Sequence, residues 1–122
     1  NSFTRKLIMS SSLFPVEDIF SPEFAIQELN EHSKLIIKKA GITEKEFISL
    51  FNKLKAYVKF IPKKNYSEFM KKAEEISPDK DDSHFLALCF KLNLPLWSND
   101  KELKNQDKIV ILNTRDIIEL YF

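Results

Sequence analysis

Apolar residues recur at helical spacing along most of the chain, and capping signals mark where several of the predicted helices begin and end. Ser21 followed by Pro22 predicts a helix start, and Gly41, the only glycine, predicts its left-handed stop. Thr43 and Glu46 are spaced as a capping box and predict the start of the next helix. The apolar stripes predict further helices over residues 65–75 and 82–92, and Thr114 is predicted to cap a last helix.

Short apolar or alternating segments between these helices predict strands. The runs 18–21, 57–61 and 109–112 are of this kind, as is LPLW at 94–97, and Pro62 ends the second run. Strands separated by helices imply right-handed crossovers, and hence an α/β fold with a mainly parallel sheet and helices on both faces. In such sheets, ligands bind at the carboxyl ends of the strands.

The first ten residues break this alternation. Phe3, Leu7 and Ile8 share one helical face, so SFTRKLIMSS predicts a helix with no strand before it, and the chain opens with Asn1 rather than methionine. We therefore expect that an N-terminal strand lies upstream of Asn1 and is missing from this sequence. No repeat or second boundary interrupts residues 1–122, which predicts one domain, truncated at its N-terminus.

Composition narrows the class of protein. The chain has 122 residues, eleven phenylalanines and one glycine, which is enough apolar material for a core without disulfides. Its single cysteine, Cys89, favours a reducing compartment, and neither a signal segment nor a membrane-length apolar run is present. The formal net charge is +1, so charge alone does not identify a partner. These features predict a cytoplasmic protein without membrane association.

Carboxylates are the only side chains whose arrangement suggests catalysis. Asp79, Asp81 and Asp82 precede a predicted helix, Asp100 follows the strand LPLW, and Glu28 lies on the first long helix. The chain has no P-loop, no G-x-S-x-G and no paired Cys or His spacing. Mg²⁺ and Mn²⁺ prefer oxygen ligands, which acids from separate segments supply when they converge. The alternative is that the aspartates favour a helix N-terminus and Glu28 is a solvated helix residue.

The stretch DKDDSHFLALCFKLNLPLWSNDKEL resembles the third and fourth acidic motifs of the PIN-domain nucleases. Asp82 matches the family's aspartate ahead of an Ala/Leu-rich helix, and Asp100 matches the aspartate of the Ser/Thr-x-Asp turn. Glu28 matches the family's second acidic residue. The resemblance implies a three-layer α/β/α sandwich whose first, central strand is the missing one, together with that strand's aspartate. It also implies that Glu28, Asp82 and Asp100 are catalytic residues and ligands of Mg²⁺ or Mn²⁺, with the Ser98 hydroxyl supporting the turn behind them.

The resemblance further implies an activity and partners. It implies a metal-dependent endoribonuclease that hydrolyses phosphodiester bonds in single-stranded RNA and leaves 5′-phosphate and 3′-hydroxyl ends. Because the first aspartate has no counterpart in this sequence, the alternative is an incomplete PIN-like domain that binds RNA or a protein without cutting. Small PIN domains commonly pair through helices, so a homodimer is expected besides RNA, and an antitoxin or another protein is the further expected partner.

Several neighbouring residues carry narrower predictions. Asp81 is the alternative to Asp82 as the site residue, because the two are adjacent in the sequence. His84 is predicted to be exposed, since a site of this type needs no imidazole. Cys89 and Trp97 are predicted to be core residues.

Overall fold

A five-stranded sheet forms the centre of the part of the chain that the computed structural model describes, residues 7–9 and 19–121. Its strands are β1 Leu7–Met9, β2 Ile19–Pro22, β3 Val58–Ile61, β4 Leu96–Trp97 and β5 Ile111–Leu112, in the spatial order β3-β2-β1-β4-β5. β1 is antiparallel to β2 and β4, whereas β2 pairs with β3 and β4 pairs with β5 in parallel. The strands β2 to β5 therefore all run in one direction, which confirms the prediction of a mainly parallel sheet.

The carboxyl ends of β2 to β5 lie at one edge of the sheet, which we term the carboxyl edge. The residues that follow these strands are Glu23, Pro62, Ser98 and Asn113. Glu23 donates its backbone N–H to the carbonyl oxygen of Ile61 at 2.9 Å, and Ser98 donates to the carbonyl oxygen of Leu112 at 2.9 Å. One hydrogen bond thus links the chain after β2 to the end of β3, and another links the chain after β4 to the end of β5.

The N-terminal segment differs from its prediction. Leu7 and Ile8, predicted on one face of a helix, lie in β1 at the centre of the sheet, and Phe3 is outside the described residues. A short apolar run carries too little periodicity to distinguish helix from strand, and here its pairing with both β2 and β4 decides. β1 thus fills the central position that the resemblance assigned to the missing strand, although it runs antiparallel to both of its neighbours.

Helices and 3₁₀ turns connect the strands. The α-helices of the described residues are α1 Phe24–Glu31, α2 Ser33–Ala40, α3 Glu44–Tyr57, α4 Met70–Ile76, α5 Ser83–Leu92 and α6 Thr114–Tyr121. The 3₁₀ turns are Lys63–Asn65, Ser67–Phe69, Lys80–Asp82 and Lys101–Asn105. Over the same residues, no helix combines the length and the apolar character that a membrane crossing requires.

The strongest local signals are confirmed. The backbone N–H of Thr43 donates to Glu46 Oε1 at 2.9 Å, and the backbone N–H of Glu46 donates to Thr43 Oγ1 at 3.0 Å. This reciprocal pair is the predicted capping box, and α3 begins directly after Thr43. Gly41 ends α2 in the left-handed conformation with φ 67°, as its position predicts.

Two predicted helix boundaries are wrong. Ser21 and Pro22 belong to β2, whose pairing with β3 continues to Pro22 opposite Ile61, so α1 begins only at Phe24. The predicted helix over residues 22–40 is also interrupted at His32, whose φ of −104° and ψ of 10° lie outside helical geometry. Strand pairing accounts for the first difference, because its hydrogen bonds compete with those of a first helical turn.

The cap of α6 is Asn113 rather than the predicted Thr114. Asn113 Oδ1 accepts the backbone N–H of Asp116 at 2.8 Å, and Asp116 Oδ2 accepts the backbone N–H of Asn113 at 3.0 Å. The Thr114 hydroxyl instead accepts hydrogen bonds from Trp97 Nε1 and Asn99 Nδ2, both at 3.1 Å. Thr114 therefore attaches α6 to the exit of β4.

Both faces of the sheet are covered. Successive strand residues point to opposite faces of the sheet. Those on one face pack in a cluster with α5, and those on the other face pack with Ile117 of α6. The strand residues of the α5 cluster include Phe20, Leu96 and Ile111, and those of the α6 cluster are Ile19, Trp97 and Leu112. This arrangement confirms the three-layer α/β/α sandwich. Cys89, 1% exposed in α5, is a core residue as predicted, and Trp97 is half-buried.

Candidate active site

Asp82 is the buried member of the aspartate cluster. It ends the 3₁₀ turn directly before α5 and is 1% exposed, whereas Asp79 and Asp81 are exposed. Asp82 makes no side-chain capping hydrogen bond to α5. Capping of the turn falls to Asp79, whose Oδ1 accepts the backbone N–H of Asp81 at 3.0 Å. Asp79 is therefore the capping residue of the turn, whereas Asp82 lies at the N-terminus of α5 without a capping hydrogen bond.

Asp100 and Ser98 form a fixed turn at the carboxyl end of β4. Ser98 is 2% exposed, and its Oγ accepts the backbone N–H of Asp100 at 3.1 Å. Asp100 is exposed, and its Oδ1 accepts the backbone N–H of Glu102 at 3.0 Å to begin the following 3₁₀ turn. The Ser98 hydroxyl thus supports this turn. That the turn presents Asp100 as a metal ligand stays a prediction.

Glu28 reaches the same edge of the sheet from α1. That helix starts directly after β2, and Glu28 lies in its second turn with a half-buried side chain. Residues four apart share one helix face, so Glu28 lies on the face that carries Phe24. The direction of that face follows from the contacts of Phe24.

Phe24, Tyr66 and His84 meet where α1 adjoins the start of α5, and we term this group the aromatic junction. The rings of Phe24 and His84 stack with centroids 4.1 Å apart and an interplanar angle of 8°. The Tyr66 hydroxyl and His84 Nδ1 are hydrogen-bonded at 2.8 Å, and Tyr66 is fully buried. His84 is therefore half-buried and packed, and the prediction that it is exposed is wrong.

The electrostatic surroundings keep this pair of polar groups uncharged at neutral pH. Burial lowers the pKa of His84, and Lys63 lowers it further, against smaller opposing effects of Asp81 and Glu74. Burial also raises the pKa of Tyr66 to about 12. The Tyr66 hydroxyl therefore keeps its proton. We assign it as the donor to Nδ1, which places the ring proton of His84 on Nε2.

Sequence reasoning missed the aromatic junction as a unit. Tyr66 and His84 are separated by 18 positions, and Phe24 lies on another helix. No local pattern connects them, because the contacts form only when α1 and α5 pack at the same edge. The one available signal was the proximity of His84 to Asp82 in the sequence.

The three predicted ligands share one donor chemistry. Carboxylate oxygens suit Mg²⁺ and Mn²⁺, so the donor set of Glu28, Asp82 and Asp100 fits such an ion chemically. Within residues 7–9 and 19–121, however, no group of three or more His, Cys, Asp or Glu side chains lies close enough to hold a metal ion. The roles of these residues as ligands stay predictions, together with the further acid expected upstream.

Comparison with known proteins agrees with this architecture. The family model described as the PIN domain matches residues 3–117. No curated protein and no solved structure matches the chain. PIN domains are generally nucleases, a class of hydrolases, and they typically use divalent metal ions. The match spans most of the 122 residues and fits the layered fold, so the chain belongs to the PIN-domain family.

Proposed function

We propose that this protein is a metal-dependent endoribonuclease that hydrolyses phosphodiester bonds in single-stranded RNA. Glu28, Asp82 and Asp100 hold Mg²⁺ or Mn²⁺ at the carboxyl edge, with Ser98 supporting the turn of Asp100. The proposal is supported by membership in the PIN-domain family, whose members are generally nucleases, and by the burial of Asp82.

The observation that carries the proposal is the burial of Asp82. A carboxylate that is 1% exposed stands in surroundings of low dielectric constant, where its attraction to a divalent cation is stronger than in water. Acidic side chains are rarely buried to this extent in protein cores unless they are paired or bind a metal. Asp82 makes no capping hydrogen bond to α5, so helix capping does not explain its burial, whereas a cation-binding role suits it.

The other acids complement Asp82 from separate elements. Asp100 stands on a turn whose backbone is held by Ser98, so its carboxylate is presented from a defined position. Glu28 approaches from the face of α1 that contacts the start of α5. When bound, Mg²⁺ or Mn²⁺ supplies Lewis-acid activation of water and neutralises the charge that develops on the scissile phosphate. Glu28, Asp82 and Asp100 would hold the ion, and the proton lost by the attacking water is balanced by the proton that the departing 3′-oxygen takes up.

Exposed lysines beside this edge supply contacts for the RNA backbone. Lys63 and Lys64 follow the carboxyl end of β3 in an exposed 3₁₀ turn. Lys63 is close enough to His84 to lower its pKa, which places positive charge near the start of α5. Phosphate contacts of this kind bind RNA with little reading of sequence and weaken as salt rises.

Cleavage of labelled single-stranded RNA by the protein tests the proposal. Reactions with Mn²⁺, Mg²⁺ or EDTA compare the parent with Asp82→Asn and Asp100→Asn, since asparagine keeps the side-chain size and removes the charge. Asp107→Asn is the matched control, because Asp107 is exposed and precedes β5 at the opposite edge. We expect metal-dependent cleavage that falls roughly tenfold to a hundredfold or more in the two site variants and is unchanged in the control.

The same experiment separates the two interpretations of the family resemblance. Cleavage that is equal in the parent and both site variants contradicts the proposed ligands. RNA that is bound by the parent but remains intact with either metal identifies the alternative, a PIN-like domain that binds without cutting.

A further inference from the structure

We propose that the aromatic junction of Phe24, Tyr66 and His84 positions Glu28 against Asp82, and that Tyr66 and His84 are therefore positioning residues of the acidic site. This inference rests on the proposed function, in which Glu28 and Asp82 bind the same cation. It goes further by assigning a role to three residues that hold no metal themselves.

The geometry of α1 supports the first step. Phe24 and Glu28 are one helical turn apart and share a face of α1. The Phe24 ring stacks almost parallel on His84 of α5, at 4.1 Å and 8°. The face of α1 that carries Glu28 is therefore turned toward the start of α5. A rotation of α1 about its axis would separate the two rings and turn Glu28 away together with Phe24.

The position of His84 supports the second step. His84 is the second residue of α5, and Asp82 directly precedes that helix. Phe24 is one helical turn from Glu28, and His84 is two residues from Asp82, so the stack joins the two segments that carry these carboxylates. Side chains two residues apart do not face each other, so the stack acts by holding α1 against the start of α5, and the spacing of Glu28 and Asp82 depends on it.

Tyr66 fixes the orientation of the His84 ring. Its ring is fully buried between the turns Lys63–Asn65 and Ser67–Phe69, and it meets the His84 ring edge-on with centroids 5.9 Å apart. Its hydroxyl is hydrogen-bonded to His84 Nδ1 at 2.8 Å. A hydrogen bond to a buried donor selects one ring rotamer, where stacking alone permits the ring to slide or flip. Partners of this kind, one step removed from the ligands, orient acidic sites and tune their metal affinity.

The test is the Mn²⁺ affinity of the protein, measured by calorimetric titration without RNA. Tyr66→Phe removes the hydroxyl and keeps the ring, and Phe24→Leu removes the stacked ring. Phe24→Tyr is the conservative variant, because it keeps an aromatic face on His84. We expect the first two variants to bind Mn²⁺ roughly tenfold more weakly and Phe24→Tyr to bind like the parent.

Phe90→Leu serves as the control for a general loss of packing. Phe90 stacks on Phe69 near the other end of α5, with centroids 6.1 Å apart and an angle of 28°. This variant should melt at a lower temperature than the parent and still bind Mn²⁺ with the parent's affinity. Mn²⁺ affinity that follows melting temperature across all variants, Phe90→Leu included, would show a structural role only and overturn the proposal.

The outcomes distinguish this inference from the proposed function. If the parent binds Mn²⁺ and cleaves RNA while Tyr66→Phe and Phe24→Leu bind Mn²⁺ unchanged, the positioning role is wrong and the nuclease assignment stands. If affinity depends on the junction but no RNA is cleaved, the positioning role stands and the nuclease assignment is wrong. A parent that binds no Mn²⁺ overturns both.

Discussion

Replacing Asp82 with asparagine removes a negative charge from a buried position at the start of α5 and keeps the shape of the side chain. Two opposing free-energy terms decide the effect on stability in the absence of metal. The variant loses the attraction between a carboxylate and the helix N-terminus, which contributes about 0.3–1 kcal/mol. It also removes the unfavourable free energy of keeping a charged group out of water, which is on the order of several kcal/mol for a buried group.

The structure indicates that the second term is the larger one. Asp82 is 1% exposed, so its desolvation is nearly complete, and it makes no capping hydrogen bond that the substitution would break. The further interactions of Asp82 in the folded chain determine how much of this gain is realised. We therefore expect Asp82→Asn to be as stable as the parent or more stable, by up to about 2 kcal/mol. For a domain of this size that is an increase in Tm of up to roughly 8 °C.

Metal should reverse the order of stability of the parent and Asp82→Asn. A ligand present at a hundred times its Kd stabilises a folded protein by about 2.7 kcal/mol, so Mn²⁺ should raise the Tm of the parent clearly. The Tm of Asp82→Asn should respond little, because the variant has lost a predicted ligand. The assay is a thermal melt of each protein with and without Mn²⁺, followed by circular dichroism.

Asp79→Ala is the control that separates a helix cap from a site residue. It removes the acceptor for the backbone N–H of Asp81, which should cost about 1 kcal/mol, and it should leave the response to Mn²⁺ intact. A parent whose Tm is insensitive to Mn²⁺, together with an Asp82→Asn variant that melts well below it, would refute the reasoning. Asp82 would then stabilise α5 and do nothing more.

Three further predictions concern stability, reactivity and pH. Thr43→Ala should lower the unfolding free energy by about 1 kcal/mol in urea titrations, because it breaks the bond to the Glu46 N–H, whereas exposed Ser49→Ala, inside α3, should not lower it. Burial raises the pKa of Cys89, so iodoacetamide should alkylate this thiol only as the protein unfolds, and rapid labelling in native buffer would contradict its placement in the core. The folded-state pKa of His84 lies below its usual 6.5, so the unfolded chain takes up the proton first as pH falls below about 6.5. Unfolding free energy should therefore decrease with falling pH in that window, His84→Phe should lose this component, and equal slopes for parent and variant would contradict it.

The features that the sequence by itself determined are those set by neighbouring residues. The capping box of Thr43 and Glu46 and the left-handed stop at Gly41 involve residues at most four positions apart, and both appear as predicted. The strand before Pro62 and the apolar stripe of α5 follow from local periodicity in the same way. The alternation of strands and helices then implies the layered sheet, because a right-handed crossover permits few other arrangements.

Where two local conformations were possible, contacts in the tertiary structure determined which one formed. The Ser-Pro pair suits a helix start, yet Pro22 lies in β2 because β3 pairs with it. Leu7 and Ile8 fit one face of a helix, yet they pair with strands on both sides. Thr114 suits a helix cap, yet its hydroxyl binds the indole of Trp97 and Asn113 caps instead. In each case a partner distant in the sequence supplies the deciding hydrogen bonds.

Some features of the candidate site follow from the sequence alone, and others depend on the tertiary structure. The sequence alone selected Asp82 and Asp100 as candidate site residues, because motif spacing is information carried along the chain. Only the folded chain shows that Asp82 is buried and that His84 packs on Phe24 and Tyr66. Burial and ring stacking depend on which helices meet, and that is determined by the packing of the whole core rather than by any segment of it.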